Sequence, residues 1–261
     1  MADKFAIITG ASTGIGFELA TLAAKDGYDL LVVADEPLID AAAADFKQFG
    51  TEVRSVEADL STIEGVDRLL DAAGGRRVDL LCANAGHGLG GAFLDQQVSD
   101  WRHVIDTNVT GTLYLMQRVL KDMAARNDGK VMMVGSIAGY MPGSFAAVYN
   151  GTKAFMDSFV AAIQNELKDS DGVVITNLMP GATETEFFDR ADMLDTKVGT
   201  QKKDDPAKVA KDGWDAMMAG KASVVSGLKN KIQSAVANVT PMSVLAEQHR
   251  GMAEPGSARD G

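Results

Sequence analysis

The sequence predicts an α/β fold in which helices cover both faces of a doubly wound parallel sheet of about seven strands, within a single domain. Short apolar runs alternate with longer amphipathic stretches, as expected for βαβ units around a parallel sheet. A glycine-rich turn follows the first apolar run directly, and an acidic residue follows the second. Together these features indicate a sheet of the Rossmann type, which we expect to carry a C-terminal helical extension.

The seven apolar runs are the predicted strands. They cover residues 5–9, 29–34, 52–58, 78–83, 130–135, 173–179 and 223–226. Helical connections fill the intervals, and no linker rich in proline, glycine and serine separates them. We therefore predict one domain over residues 1–250, with a substrate lid over about 184–205, a C-terminal extension over about 228–250 and a loose polar tail over 251–261.

Two of the predicted helices have start signals of their own. The stretch from Ser61 to Glu64 has the spacing of a capping box, in which the first and fourth side chains satisfy each other's backbone amides. Asp205 followed by Pro206 supplies an N-cap and then a proline at the first helical position, where its missing N–H is harmless. Both signals support helical connections between the strands.

The composition excludes several classes of protein. Hydrophobic residues make up 46% and charged residues 23% of the 261 residues, as in ordinary globular proteins. The net charge of −11 argues against binding to nucleic acid phosphates. The single cysteine, Cys82, excludes an internal disulfide and suits a reducing compartment. The first strand begins near Lys4, and no apolar run approaches the roughly 18 residues of a spanning helix, so we expect a cytoplasmic chain without an integral membrane segment.

The glycine-rich turn is the first candidate for a ligand site. The stretch TGASTGIG, residues 9–16, ends the first predicted strand and opens a helix. In that position glycines let the backbone approach a pyrophosphate, and the amides of the helix N-terminus point at its charge. The spacing is TGxxxGxG and not the GxGxxG form, so a tight turn without a ligand remains the alternative.

The acidic pair after the second strand indicates which dinucleotide would bind. Asp35 can accept hydrogen bonds from an adenosine ribose hydroxyl, and its alternative role is that of a solvated turn acid. Glu36 adds a second negative charge, and neither Ser12 nor Thr13 is basic, so a ribose 2′-phosphate would be repelled. We therefore predict that NAD(H) is preferred and that NADP(H) is the second choice.

A tyrosine and a lysine lie four positions apart in the stretch AVYNGTKAFM, residues 147–156. In a helix this step places Tyr149 and Lys153 on one face, and an ordinary surface pair is the alternative interpretation. A nearby ammonium favours the phenolate form, so Lys153 would lower the tyrosine pKa from its usual value of about 10. A tyrosine adjusted in this way can take a proton from an alcohol or return it.

These motifs, taken together, resemble the short-chain dehydrogenase/reductase family over nearly the whole chain, to about Ser226. The matching elements are TGASTGIG (9–16), ADL (58–60), NAG (84–86), Asn108, Ser136, YNGTK (149–153) and PGATETEF (180–187). Each is weak alone, whereas their order and spacing are specific. The resemblance implies an enzyme with a catalytic tetrad of Asn108, Ser136, Tyr149 and Lys153.

The resemblance also assigns roles to individual residues. Ser136 would hydrogen-bond the substrate oxygen, an electrostatic role and not nucleophilic attack. Asn108 would anchor a water that links Lys153 to solvent, and a helix N-cap is its other candidate role. Together the residue patterns and the resemblance predict cofactor contacts from Gly10, Ser12, Thr13, Gly14, Ile15, Gly16, Asp35, Asp59, Leu60, Asn84, Ala85, Gly86, Asn108, Tyr149, Lys153, Pro180, Gly181, Thr183 and Thr185.

The substrate would meet the loops that follow the fifth and sixth strands, because open α/β sheets bind ligands at the carboxyl ends of their strands. The predicted pocket residues are Ser136, Ile137, Met141, Phe145, Tyr149, Phe187, Phe188 and His87. Met193 and Leu194 would add to the apolar underside of the lid. Such a pocket favours a lipophilic secondary alcohol or ketone over a sugar, although packing of these side chains onto the protein body, and a solvent-facing His87, are the alternatives.

The sequence predicts no metal site, because the three histidines are scattered and the cysteine is single. By resemblance, the helices near residues 101–120 and 149–167 form subunit faces, so we expect a homodimer or homotetramer. Ile232, Val236 and Val239 recur at helical spacing in the C-terminal extension, which indicates subunit packing first and loose membrane-surface association second.

The sequence therefore predicts an NAD(H)-dependent oxidoreductase that interconverts a secondary alcohol and a ketone, with Tyr149 as acid and base. An NADPH-dependent ketoreductase is the alternative within the same class. A dinucleotide-binding protein without turnover is a third candidate, which the intact tetrad disfavours.

Overall fold

The computed structural model describes residues 4–260, and its seven parallel strands form one sheet in the order β3-β2-β1-β4-β5-β6-β7. The strands are β1 Phe5–Thr9, β2 Asp29–Ala34, β3 Val53–Glu57, β4 Leu80–Ala83, β5 Gly129–Val134, β6 Val173–Met179 and β7 Ser223–Val225. Every neighbouring pair is parallel. The predicted fold class, a single doubly wound sheet, is confirmed.

Eleven α-helices are assigned within residues 4–260. They are α1 Gly14–Lys25, α2 Leu38–Lys47, α3 Ile63–Ala72, α4 Val98–Ile105, α5 Thr112–Arg126, α6 Ala147–Glu166, α7 Phe187–Arg190, α8 Lys197–Thr200, α9 Pro206–Met218, α10 Leu228–Ala237 and α11 Met242–Ala253. Single 3₁₀ turns lie at Phe93–Asp95, Ile137–Tyr140 and Ser257–Asp260. None of the helices in this part of the chain combines the length and apolar character needed to cross a bilayer.

Two hydrophobic clusters cover the two faces of the sheet. Ile8 belongs to the cluster formed with α1, α2 and α9, whereas its neighbour Ile7 belongs to the cluster formed with α3, α5 and α6. Because successive side chains of a strand point to opposite faces, the central strands need apolar residues at every position. This is why they appear in the sequence as uninterrupted apolar runs.

The order of the strands determines where a ligand can bind. The chain runs outward from β1 to β3 on one side of the sheet and then crosses back to place β4 on the other side of β1. The loops after β1 and β4 therefore diverge at the carboxyl edge of the sheet. A crevice at this switch point is where doubly wound folds bind their ligands.

The two predicted helix starts have different outcomes. Asp205 caps α9 as predicted, since its side chain accepts a hydrogen bond from Ala207 N at 3.0 Å. The capping box at Ser61 is shifted by one residue. Thr62 is the N-cap of α3, and its hydroxyl accepts from Gly65 N at 2.9 Å, so Glu64 does not take the reciprocal position of the box.

The helical run from Val98 to Arg126 contains a π-helical stretch at Asp106–Gly111. Asn108 lies in the middle of this stretch, so the N-cap role considered for it is wrong. Single π-helical insertions widen a helix locally and are common at functional sites. Gly111 closes the stretch where the backbone of Leu60 passes so near that a Cβ at Gly111 would lie 1.8 Å from Leu60 O.

The C-terminal extension is helical as expected. Helix α10 carries an exposed apolar row, in which Leu228 is 75%, Ile232 58% and Val236 54% exposed. The tail expected to be loose is instead docked on the protein, because Gly256 N donates to Asp195 Oδ2 at 2.7 Å and Ser257 Oγ accepts from Lys197 N at 3.1 Å. The expectation failed because backbone amides hold this segment together with Ala253, which is buried in a hydrophobic cluster with Phe188 and Met193; its last residue, Gly261, lies outside the described residues.

We expect Gly111→Ala to destabilise the protein by about 1–3 kcal/mol, because the added methyl group collides with backbone and not with a movable side chain. Gly251→Ala is the matched control: Gly251 is also helical, but a Cβ there meets no heavy atom beyond its own helix turn and chain neighbours within 4 Å. It should be neutral or stabilising by about 0.5–1 kcal/mol. Denaturant unfolding measures both, and equal stabilities would contradict the close approach of the two backbones.

Candidate active site

A cavity of about 780 Å³ opens at the carboxyl edge of the sheet, at the switch point between β1 and β4. Its floor is formed by the loops that follow β1, β2, β4, β5 and β6, and α6 and α7 supply its walls. One end lies at the glycine-rich turn and Asp35, and the other at Tyr149. The volume suits a ligand of drug-like or larger size.

The glycine-rich turn has the conformation that its sequence predicts. Gly10 and Gly14 have φ values of 62° and 59°, in the left-handed region that other residues rarely adopt. A Cβ at Gly16 would lie 2.0 Å from Gly10 O, so this glycine serves the close packing of α1 and does not itself line the cavity. The N-cap of α1, Thr13, makes no side-chain cap hydrogen bond, which leaves the first amides of the helix for an anion.

Strand β4 braces this turn from the side. Asn84 Nδ2 donates to the carbonyls of Thr9 and Gly10, at 3.0 Å each. The hydroxyl of Thr9 in turn accepts from the backbone amides of Asn84 and Ala85 at 2.9 Å. These bonds fix the turn in its open form, and they explain why the predicted NAG motif lies beside the predicted glycine motif.

Most other predicted cofactor residues also line the cavity. They are Gly10, Ser12, Thr13, Gly14, Ile15, Asp35, Asp59, Leu60, Asn84, Ala85, Gly86, Tyr149, Lys153, Pro180, Gly181, Thr183 and Thr185. The exceptions are Gly16 and Asn108. Both lie behind the cavity surface, so a direct cofactor contact is not supported for either.

Both acids after β2 already have partners. Asp35 Oδ2 lies 3.1 Å from His87 Nε2, and this hydrogen bond lowers the pKa of Asp35. Glu36 accepts from Ser12 Oγ at 2.6 Å and from Arg190 at 2.7 and 2.9 Å. Burial acts against the charged form of Glu36, but these hydrogen bonds outweigh it and lower its pKa.

Arg190 was not predicted from the sequence. It ends α7 in the lid segment, 154 positions after Glu36, and it also pairs with Glu186 at 2.6 Å. Its pKa is raised, because the two carboxylates outweigh the effect of burial. The glycine-rich turn has no basic residue of its own, but the tertiary structure brings Arg190 next to it.

Three residues of the predicted tetrad, Ser136, Tyr149 and Lys153, line the inner end of the cavity. The Ser136 hydroxyl lowers the pKa of the Tyr149 phenol and accepts from Ala138 N at 3.1 Å. Lys153 is 8% exposed, and its Nζ donates to Val134 O at 2.9 Å and lies 5.8 Å from the centroid of the Tyr149 ring. The predicted common face of α6 is thus present.

The predicted lowering of the tyrosine pKa is wrong for the protein alone. Burial raises the pKa of Tyr149 to about 12, with the Ser136 hydrogen bond acting in the opposite direction. Burial also lowers the pKa of Lys153 to about 8. Removing both groups from water disfavours both charged forms at once, and at 5.8 Å from the ring centroid the ammonium does not overcome this effect.

Asn108, the fourth member, acts as a clamp. Its Oδ1 accepts from His87 N at 2.8 Å, and its Nδ2 donates to His87 O at 2.9 Å and to Thr152 Oγ1 at 3.0 Å. Thr152 Oγ1 donates to Tyr149 O at 2.7 Å. One buried amide thereby joins the π-helical stretch to the loop after β4 and to α6.

Asp157 is a second residue that the sequence analysis missed. It lies one helical turn beyond Lys153 on α6 and accepts from Asn177 Nδ2 at 2.8 Å, while its Oδ2 has no hydrogen-bond partner in the structure. Burial raises its pKa to about 6. Its four-residue spacing from Lys153 repeats that of Lys153 from Tyr149, and this was the sequence signal that could have found it.

Most of the side chains predicted for the substrate pocket line the cavity. Ile137, Met141, Phe187, Phe188 and His87 line the cavity with Ser136 and Tyr149, and Met193 does so as well. The rings of Phe187 and Tyr149 have their centroids 5.0 Å apart, so the lid lies directly on the tyrosine.

Phe145 and Leu194 do not take the predicted positions in the pocket. Phe145 is in the left-handed region with φ 62° and packs its ring against the guanidinium of Arg250, 5.0 Å away. Leu194 is half-exposed. For Phe145 the left-handed backbone conformation, which the residue type does not reveal, sets the direction of the side chain.

The C-terminal helices supply a wall that the sequence did not predict. Gln233 of α10 and Gln248, His249 and Met252 of α11 line the cavity. His249 Nδ1 lies 2.8 Å from Ser144 O, and burial lowers its pKa. No motif marks these residues, because their role depends only on how the two helices pack.

Comparisons with known proteins agree with this architecture. A family model described as short chain dehydrogenase matches residues 4–195. An uncharacterized oxidoreductase of Staphylococcus aureus is 31% identical over 190 residues, which cover 71% of this chain and 80% of that protein. A solved short-chain dehydrogenase of Sphingobium yanoikuyae in complex with NADPH is 25% identical, with 90% of this chain and 94% of the other covered and a TM-score of 0.80.

A second solved structure shares the fold. It is a short-chain dehydrogenase/reductase from Burkholderia phymatum in complex with NAD, 24% identical to this chain. The match covers 90% of this chain and 94% of the other, with a TM-score of 0.81. The similarity thus extends well beyond the segment matched by the family model and includes the C-terminal helices in part.

We expect Asp157→Asn to gain stability relative to the wild type between about pH 4 and about pH 7. Folding raises the pKa of Asp157 from 3.8 to about 6, so the unfolded chain ionises first and the wild type loses stability as the pH rises through this interval. The gain should be roughly 1–3 kcal/mol, measured by urea unfolding at each pH. Asp100→Asn, at an exposed carboxylate of α4, is the control; an equal gain in both variants would contradict the assignment.

Proposed function

This chain belongs to the short-chain dehydrogenase/reductase family of oxidoreductases, and we propose that it transfers hydride between NAD(H) and a lipophilic secondary alcohol or ketone. One observation carries the proposal: the hydroxyls of Ser136 and Tyr149 line the same cavity as an open glycine turn. A group that binds and moves a proton therefore faces the position at which a bound dinucleotide would present its reactive ring.

The residues at the outer end of the cavity fit a nicotinamide dinucleotide. Gly10 and Gly14 give the turn its left-handed backbone, and the amides at the start of α1 would hold the pyrophosphate. Asp35 would hold the adenosine ribose, and Thr185 lies against the turn, since a Cβ at Gly14 would be 2.7 Å from its Cγ2. Thr183 lines the cavity as well. When bound, the nicotinamide supplies the carbon that accepts or gives up hydride and, in its oxidised form, a positive charge.

Tyr149 is proposed to move the proton of the substrate oxygen. Because burial holds its pKa at about 12, the phenol is protonated near neutral pH and is ready to donate to a carbonyl oxygen. This is the protonation state that ketone reduction needs at its start. Oxidation would require a second positive charge in the cavity to lower the tyrosine pKa.

Ser136 and Lys153 are proposed to assist this proton transfer. The Ser136 hydroxyl, which lines the same cavity as the phenol, would donate to the substrate oxygen as negative charge develops there. Lys153 is buried and titrates at about 8, so it can resupply a proton to the tyrosine near neutral pH. Asn108 would act through its clamp on His87 and Thr152, which holds α6 in position.

The pocket favours an apolar substrate. Ile137, Met141 and Met252 line the cavity, and Phe187 lies on the Tyr149 ring with the centroids 5.0 Å apart. These apolar side chains favour a lipophilic group beside the phenol, while polar residues such as Gln233 and Gln248 line the C-terminal wall. The substrate class proposed is therefore a lipophilic or aromatic secondary alcohol and its ketone.

The preference for NAD(H) rests on Glu36 together with Arg190. The guanidinium lies where it could meet a ribose 2′-phosphate beside Ser12, but Glu36 and Glu186 already neutralise it. To pair with Arg190, a 2′-phosphate would have to displace a carboxylate. It would then stay next to that negative charge and be repelled by it. The alternative, an NADPH-dependent ketoreductase, is favoured by the presence of Arg190 itself and by the NADPH bound in the Sphingobium yanoikuyae relative.

The cellular location and the oligomeric state are proposed from the sequence features and the family resemblance described above. We propose a cytoplasmic homo-oligomer whose subunit faces include α5 and α6. The exposed row of Leu228, Ile232 and Val236 on α10 is consistent with a further subunit contact. A dinucleotide-binding protein without turnover remains the candidate of a different class, and the Tyr149 variant below distinguishes it.

We expect Tyr149→Phe to reduce turnover by at least about a hundredfold, because the proton donor is lost, while NADH still binds. Tyr140→Phe is the matched control, since Tyr140 lies nearby but its hydroxyl is bonded to Met179 Sδ at 3.2 Å. Initial rates with a panel of ketones and NADH fluorescence titrations measure the two effects. Substantial residual turnover in Tyr149→Phe, or none in the wild type with any ketone, would contradict the proposed function.

We expect Glu36→Gln to bind NADPH about tenfold more tightly or better, because Arg190 keeps only Glu186 as a carboxylate partner and can pair with a phosphate. NADH affinity should change little. In the double variant Glu36→Gln/Arg190→Met the gain should disappear. Fluorescence titration with both dinucleotides gives the answer, and an NADPH gain that survives removal of Arg190 would disprove its role in cofactor choice.

A further inference from the structure

Two histidines and an aspartate meet at the adenosine end of the cleft. His87 Nε2 lies 3.1 Å from Asp35 Oδ2, and the rings of His87 and His103 have their centroids 4.5 Å apart. One ligand atom from each of the three residues lies within 4.8 Å of the others. The histidines are scattered in the sequence, yet the fold brings two of them together beside a carboxylate.

Three separate elements hold this group in place. Asp35 follows β2, His87 follows β4, and His103 lies on α4. The backbone of His87 is fixed at both its N–H and its carbonyl by Asn108, at 2.8 and 2.9 Å. His87 and His103 are half-buried, and the Asp35 side chain is about one third exposed (35%). The group is therefore anchored by its backbone but accessible from the solvent.

We propose that Asp35, His87 and His103 form a binding site for a divalent transition-metal ion such as Zn²⁺. Two imidazole nitrogens and one carboxylate oxygen are ligands that Zn²⁺ binds at about 2.0–2.2 Å, which spaces the ligand atoms about 3.3–3.5 Å apart in a tetrahedron. The pair of His87 and Asp35 already has nearly that spacing. A rotation of the His103 side chain completes the set, and the fourth position takes a water.

The ion and the dinucleotide would compete for one residue. This part of the inference rests on the proposed function, in which Asp35 holds the adenosine ribose. Both Asp35 and His87 line the dinucleotide cavity, so an ion on their facing atoms uses up the carboxylate and closes that end of the cleft. The ion would therefore inhibit by competing with the dinucleotide for binding, and not by acting at Tyr149.

Two other metal-binding side chains are poorly placed to act instead. Cys82 is buried in the central sheet, and burial raises the pKa of its thiol far above the usual range, which disfavours the thiolate that a metal needs. His249 is buried and has its Nδ1 at 2.8 Å from Ser144 O. An effect of Zn²⁺ on dinucleotide binding therefore points to the cluster at Asp35.

Isothermal titration of the full chain with ZnCl₂ tests the site itself. We expect one ion per chain in the wild type and at least about tenfold weaker binding in His103→Gln, which removes one ligand. Asp100→Asn removes an exposed carboxylate from the same helix and should leave the zinc affinity unchanged. Equal zinc affinity in the wild type and His103→Gln would overturn the site, and so would the absence of any saturable binding.

NADH titrations at increasing ZnCl₂ test the competition. In the wild type the apparent dissociation constant of NADH should rise in proportion to the free zinc concentration, whereas His103→Gln should resist this rise and bind NADH normally without zinc. Zinc that binds at Asp35 without weakening NADH would overturn the competition. Failure of the wild type to bind NADH in the absence of zinc would instead count against the proposed function, and the calorimetric result would still decide the metal site.

Discussion

The buried amide of Asn108 is the contact on which the arrangement of the cleft depends. It bonds both backbone groups of His87 and the hydroxyl of Thr152, so three segments distant in sequence share one fixed point. The π-helical turn that carries it is itself pressed against the backbone of Leu60 through Gly111. Buried polar groups of this kind are costly unless every partner is present, which makes the positions of α6 and of the loop after β4 interdependent.

Burial sets the charges at the inner end of the cleft more strongly than pairing does. Tyr149, Lys153 and Asp157 lie one helical turn apart on α6, and burial shifts the pKa of each in the direction that favours its neutral form. Lys153 at about 8 and Asp157 at about 6 titrate close to neutrality, so these two can exchange protons without holding a fixed charge in the wall. The outer end is the reverse, because there hydrogen bonds and ion pairs keep Asp35 and Glu36 charged.

The sheet and the glycine turn could be predicted because they depend on local patterns. Apolar runs long enough for strands, and glycines where a left-handed backbone is needed, leave marks within a few residues. No local pattern identifies Arg190 or His103, because Glu36 and His87, their partners, lie on other elements and only the tertiary fold joins them. Asp157 stood at a visible spacing, but its burial was not visible. The pocket position predicted for Phe145 was wrong for a different reason, because its left-handed backbone turns the ring toward Arg250.

The docking of the final segment has a consequence for synthesis of the protein. The lid begins beside the glycine turn, but Ser257 supports it at Lys197, and Met252 closes the cavity from the same side. A nascent chain that has already formed its strands on the ribosome therefore still lacks one wall of its cleft. The dinucleotide end can assemble during translation, whereas the substrate end is complete only after the last helix has emerged and docked.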